Sequence, residues 1–114
     1  LASNISIIKS TNNEKTFVFE GFFDALSFIE LHNNIPGNIL VLNSISLINK
    51  PIEFLKTNKE VYLFLDNDGA GLRCKDILIS NIQFAKDYSN IYSDYKDFNE
   101  YLINRKPHMF NLEI

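Results

Sequence analysis

Short apolar runs alternate with stretches of helical spacing along most of the chain. Thr16-Phe17-Val18-Phe19, Ile39-Leu40-Val41-Leu42 and Val61-Tyr62-Leu63-Phe64-Leu65 lack the polar alternation of half-exposed strands, and so predict strands buried on both faces. Asn4-Ile5-Ser6-Ile7-Ile8 alternates weakly and predicts an edge strand, and Ile82-Gln83-Phe84-Ala85 predicts a weaker fourth member of the series. Between these runs, Phe22, Ala25, Leu26 and Ile29 share a face at i, i+3, i+4, i+7, and Ala70, Cys74, Ile77 and Leu78 mark another helix face. Pro51 suits the first turn of a short helix reaching Thr57, with Asn49 or Lys50 near its cap. A last helix is predicted from Phe98 to Arg105, with Phe98, Tyr101 and Leu102 inward. Polar residues at Thr11–Lys15 and the Asn33–Gly37 segment supply turns. Strand–helix repetition with non-alternating strands implies an α/β fold: a mainly parallel sheet with helices on both faces.

The 114 residues leave room for one ordinary domain, and 46% hydrophobic with 22% charged residues excludes a mainly disordered segment. No apolar run approaches the ~18–20 residues of a membrane span. The start, Leu1-Ala2-Ser3-Asn4, has neither the basic nor the apolar region of a signal peptide, and without an initiating Met both ends read as cuts within a longer protein. The single cysteine, Cys74, excludes an internal disulfide or a Cys-rich zinc module and fits a reducing cytoplasm. Fourteen acids against 11 bases give a formal charge of −3, which argues against a simple basic clamp on nucleic acid. What matters is where the acids fall.

Glu20 comes directly after the first buried strand and Asp66 directly after the third. Asp68 stands two residues beyond Asp66, before Gly69-Ala70-Gly71 opens a helix, and Asp24 sits in the first turn after Glu20. In an open parallel sheet, ligands bind outside the carboxyl ends of the strands. If the two strands are central and parallel, these carboxylates converge on one rim, where mutual repulsion raises their pKa values. Mg²⁺ is the usual compensation: a hard cation that takes oxygen ligands and keeps positions open for water and phosphate. Taken alone, Asp-Asn-Asp-Gly reads as a turn plus a helix cap, and Glu20-Gly21 as a strand exit. Together, at the ends of two buried strands, they favour a metal site. The spacing fails for an EF-hand, and no G-x-x-x-x-G-K-[ST] phosphate loop is present.

Glu20-Gly21-Phe22-Phe23-Asp24-Ala25 followed by Asp66-Asn67-Asp68-Gly69-Ala70-Gly71 resembles the Toprim domain of primases, topoisomerases, OLD-type nucleases and recombination proteins of the RecR kind. The resemblance runs over roughly Thr16 to Arg105. It implies a Toprim domain over residues 16–106, preceded by an edge strand and turn (1–15) and followed by a tail (107–114). It also implies Glu20 as general acid/base or metal partner, with Asp66 and Asp68 holding Mg²⁺. The Glu-Gly-x-x-Asp-Ala form, with Asp24, is similar to primases, as is Lys96-Asp97-Phe98-Asn99-Glu100-Tyr101-Leu102 to the Lys-Asp-x-Asn-Glu segment of phage and mobile-element primases. Asp97 then matches an acid of replicative primases and Asn99 replaces a second one, which weakens a second metal position. Asp97 and Glu100 also have the spacing of a capping box.

The function implied is Mg²⁺-dependent synthesis of RNA primers on a DNA template from NTPs, with Mn²⁺ as a substitute. A zinc-binding module and basic subdomain are expected upstream, a helicase is a possible partner, and the fragment alone is expected to bind Mg²⁺ while making little primer. The alternatives are a Toprim nuclease and a non-catalytic Toprim docking module. The start of the Gly69–Gly71 helix, Arg73, Lys75 and Lys96 are candidate phosphate contacts, although a solvated helix face suits Arg73 and Lys75 equally. Tyr88, Tyr92 and Tyr95 fit packing better than base stacking. His32 and His108 lack metal-ligand partners at useful spacing, and Cys74 reads as an inert core thiol.

Overall fold

In the computed structural model, which describes residues 5–11, 14–32, 36–43 and 49–104, the chain runs β1 (Ser6–Ile8), β2 (Lys15–Phe19), α1 (Phe22–His32), β3 (Asn38–Val41), α2 (Asn49–Leu55), β4 (Glu60–Phe64), α3 (Gly69–Asn81), β5 (Ala85–Asp87), a 3-10 turn (Ser89–Tyr92) and α4 (Phe98–Asn104). The five strands form one sheet in the order β1-β3-β2-β4-β5. β3, β2, β4 and β5 are parallel, and β1 closes one edge antiparallel to β3. None of the described helices is long and apolar enough to cross a membrane.

The non-alternating strands are apolar on both sides because both sides are covered. One face presents aliphatic residues, Val18, Leu40, Leu42, Val61, Leu63 and Leu65, to Ile52 and Leu55 of α2 and Cys74 and Leu78 of α3. The opposite face is aromatic: Phe17, Phe19, Tyr62 and Phe64 pack with Ala25 and Phe28 of α1, Phe98 of α4 and Tyr92. Register stacks ring on ring, since Phe19 pairs with Phe64 across β2 and β4 and their centroids lie 5.2 Å apart.

Three details differ from the sequence expectation. Phe22 and Leu26 are about half exposed, and α1 packs instead through Ala25, Phe28 and Ile29. Phe28 inserts among Phe17, Phe19 and Phe64 with centroids 4.8–5.3 Å apart, and this turns Asp24 inward to accept the Asn99 N–H. On α3, Ile77 is 43% exposed and Gly71, Cys74 and Leu78 form the buried line. The last strand is Ala85–Asp87, not Ile82–Ala85. Ile82 caps α3 through its N–H to Leu78 O and fills the aliphatic core, so the strand begins only after an exposed turn at Gln83-Phe84. Its short, polar Ala-Lys-Asp sequence suits an edge.

Candidate active site at the carboxyl edge of the sheet

The chain leaves β2 toward β3 on one side and, after β3, crosses to β4 on the other. Strand order therefore reverses between β2 and β4, with α1 on the aromatic face and α3 on the aliphatic one. The carboxyl ends of two such strands splay their following loops apart and leave a crevice, the usual ligand position in an open α/β sheet. Glu20 and Asp66 occupy those two ends. The Asp66 N–H donates to Glu20 Oε2 at 2.6 Å, so the loops after β2 and β4 are joined by the first acid itself.

Glu20, Asp24, Asp66 and Asp97 line one open hollow of about 390 Å³, together with Gly21, Phe22, Phe23, Asn43 and Asn99. Three of the four acids expected on one rim, Glu20, Asp24 and Asp66, border this space, and Asp97 takes the place expected of Asp68. Asp24 is buried beneath α4, where its Oδ1 accepts the Asn99 N–H at 2.8 Å. Asp68 and Asp97 also serve as helix caps: Asp68 Oδ1 accepts the Gly71 N–H at 2.7 Å and Asp97 Oδ1 the Glu100 N–H at 2.8 Å. Asp68 stands outside the lining of the hollow, although its charge acts on Glu20 and Asp66.

Burial, more than mutual repulsion, sets the protonation of this cluster. It lifts Asp66 to about 7, with Glu20, Asp24, Asp97 and Asp68 adding to the effect. Asp24 is lifted to about 6 by burial, against the stabilising Asn99 N–H. Glu20 is raised too, by burial, while the Asp66 N–H and the Lys96 charge hold it down. Asp66 Oδ1 is buried without a hydrogen-bond partner.

An orphaned carboxylate oxygen within a set of hard oxygen donors fits a divalent cation such as Mg²⁺ in kind and placement. Among the described residues, however, no three His, Cys, Asp or Glu groups are already drawn together into a metal-binding cluster. The acids border the hollow without converging on one point.

The glycines and bases take more specific positions than the sequence implies. A Cβ on Gly71 would lie 2.0 Å from Asp66 O and 2.9 Å from Glu20 Oε2, so only glycine lets α3 start this close to both acids. The Gly71 N–H is already engaged by Asp68. Arg73 folds back toward Gly69, since a Cβ there would lie 3.2 Å from Arg73 Nη1. Lys75 points to Asp87 at the end of β5, at 3.9 Å. Tyr92 is buried with its hydroxyl on Leu65 O, Tyr88 stacks on Tyr62, and Tyr95 packs on Tyr101, in line with packing roles. The Cys74 thiol is pushed up to about 12 by burial, which keeps it protonated. His108 lies outside the described residues.

Two contributors escape a reading of the sequence. Asn67, between the two acids, donates its side-chain amide to Tyr92 O at 2.9 Å and Tyr95 O at 3.0 Å, and its N–H to Lys96 O at 2.6 Å. It clamps the segment carrying Asp97 to the segment carrying Asp66. Asn43, at φ 59°, lines the hollow and donates its N–H to Glu20 O at 3.0 Å. An Asn just after a strand, in a conformation Asn tolerates better than most residues, is the one available signal.

Comparison with known proteins agrees with this fold. No curated protein sequence matches the chain at a significant level. The primase fragment of the bacteriophage T7 primase-helicase protein has a similar structure, with a TM-score of 0.67 and 22% identity over 83% of this chain and 41% of that one. A chain from the bacteriophage T7 assembly of lagging-strand DNA polymerase with primase domains bound to an RNA/DNA hybrid and dTTP is also similar, with a TM-score of 0.61 and 19% identity over 83% of this chain and 50% of that one. The chain thus spans half or less of the length of these structures. The model of the Toprim-like family matches residues 17–102, about three quarters of the 114 residues and the whole of the carboxylate rim, and the chain therefore belongs to that family.

Proposed function

We propose that the chain is the catalytic Toprim domain of a DNA primase, joining ribonucleotides on a DNA template by Mg²⁺-dependent nucleotidyl transfer. The observation that carries this reading is the meeting of Glu20 and Asp66 at the switch point, with Asp66 Oδ1 buried and unpartnered. Toprim domains generally depend on a metal, usually Mg²⁺. Bound at this rim, Mg²⁺, or Mn²⁺ in its place, would polarise a phosphate, lower the pKa of an attacking hydroxyl and neutralise a leaving oxygen.

The residues divide the remaining work. Asp66 and Asp68 would hold the ion from the loop between β4 and α3. Asp24 and Asp97 border a second position, and Asn99, neutral where replicative primases carry an acid, makes that position weaker. Glu20, fixed by the Asp66 N–H, orients the ion or takes the proton of the attacking 3′-hydroxyl. Arg73 and Lys96 are the nearer candidates for phosphate, because Lys75 faces Asp87. The template, the NTPs, an upstream zinc-binding module with its basic subdomain, and a helicase are the partners this reading implies. Replication in the cytoplasm of a cell carrying a phage, plasmid or conjugative element is its setting.

Template-directed ribonucleotide incorporation by the full-length protein, beside Asp66→Ala and Glu20→Gln, tests the assignment. Both variants are expected to lose about 100-fold or more. Equal activity in all three overturns it, and removal of nucleotides from a strand in place of incorporation reassigns the chemistry to a Toprim nuclease.

A further inference from the structure

Phe22 and Phe23 follow Glu20-Gly21 in the first turn of α1, and both line the hollow that holds Glu20, Asp24, Asp66 and Asp97. Phe23 is 77% exposed and Phe22 47%, whereas Phe17, Phe19, Phe28, Phe64 and Phe98 are fully buried. Neither ring belongs to the core cluster on either face of the sheet. Their exposure follows from the packing of α1, which spends its inward face on Ala25, Phe28 and Ile29 and turns the preceding rings to the rim.

The rest of the lining is four carboxylates, two asparagines and a glycine, with no Lys or Arg among the described residues there. A nucleotide entering this space gains attraction for its phosphates from a metal ion and from no side chain of the lining. Arg73 and Lys96, outside this lining, are candidates for phosphate, so a hold on the base itself falls to uncharged surface, and among the described lining residues the two rings are the broad apolar area. The flat face of a purine or pyrimidine matches such a ring, and every base has one. Consecutive helical positions point about 100° apart, so the two rings cannot cover each other and each stays available to a ligand.

We infer that Phe23, flanked by Phe22, is a base-stacking platform: it takes the face of a nucleobase whose phosphate is directed at the carboxylate rim. The inference rests on the nucleotidyl-transfer reading and adds to it the part of the ligand that the acids cannot hold. The shared chemistry is a nucleobase, carried either by a free triphosphate or by a single strand.

The test uses the 114-residue chain in Mg²⁺, titrated into 2-aminopurine riboside triphosphate and, separately, into a short single-stranded DNA carrying one 2-aminopurine. Stacking quenches the fluorescence of this base, and the probe that responds identifies the source of the base. The wild-type chain is expected to quench one of the two. Phe23→Ala is expected to weaken that binding about tenfold, in the range of roughly 5- to 150-fold that one stacked base represents. Phe23→Trp restores the binding, while Phe23→Leu, apolar but without a π face, does not. Because Phe23 is exposed, all three variants keep the melting temperature and the Mg²⁺ response of the wild type.

Equal binding by wild type and Phe23→Ala, or by wild type and Phe23→Leu, overturns the platform and leaves the metal reading intact. So does a wild-type chain that self-associates through this surface, with Phe23→Ala abolishing the association and leaving probe binding unchanged. A wild-type chain that responds neither to Mg²⁺ nor to either probe overturns both readings.

Discussion

At Asp66 and Asp24, folding and chemistry pull in opposite directions. Burial lifts these carboxyls to about 7 and about 6, from an ordinary value of 3.8. Between the ordinary and folded values the native chain holds more protons than the unfolded one, so stability falls as the pH rises from about 4 to 7. His32 acts in the other sense: burial lowers its pKa, and its contribution is lost as the pH falls below 6.5. Two strongly raised acids, with Glu20 raised beside them, outweigh one partly buried histidine near neutrality. The metal-free chain is therefore expected to melt higher at about pH 6 than at about pH 8, with Mg²⁺ narrowing the difference; calorimetry with and without EDTA checks it. Asp66→Asn removes the charge and keeps the shape. At about pH 8 it is expected to stabilise the metal-free chain by about 1 kcal/mol after solvent screening, some 4–8 °C, while abolishing the Mg²⁺ response. A destabilised Asp66→Asn chain would mean that the unpartnered oxygen costs less than the structure implies.

At the scale of elements, two close approaches assemble the site. Asn67 clamps the segment before α4 with three hydrogen bonds, and Asn67→Ala is expected to cost about 1–3 kcal/mol and to weaken Mg²⁺ binding by loosening Asp97. Denaturant unfolding and a metal titration on the same variant measure both effects. Gly71→Ala drives a methyl against Asp66 O, and is expected to cost about 1–3 kcal/mol and to displace Glu20. The buried strands are legible in the sequence because both faces are apolar, so β2, β3 and β4 fall where the runs of Val, Ile, Leu and Phe predict. The inward face of α1 is not, because Phe22 and Leu26 are as apolar as Phe28, and only the gap among Phe17, Phe19 and Phe64 selects the latter. β5 is illegible for a similar reason: its three residues are not apolar as a run, and Ile82 is used by the core beside α3. The Asn67 clamp joins residues 25 and 28 positions apart, which no local pattern records.

For the molecule as a whole, the carboxyl-edge site follows from topology. Acids directly after two buried strands become one site only because β2 and β4 are neighbours and strand order reverses between them. The sequence contains the acids and their spacing; adjacency is a property of the sheet. The formal charge of −3 takes on a different meaning in this light. Setting aside Glu20, Asp24, Asp66, Asp68 and Asp97 leaves 9 of the 14 acids against 11 bases, a balance of +2. An acidic total is then compatible with binding nucleic acid, since bound divalent ions offset the charge of the rim. The most direct test is a Mg²⁺ titration of the 114-residue chain followed by backbone amide shifts and melting temperature. Shifts concentrated at Glu20, Asp24, Asp66, Asp68 and Asp97 are expected, with a rising melting temperature, and both are expected to be lost in Asp66→Asn. Unchanged shifts around Asp66 and Asp68, with an unchanged melting temperature, would contradict it.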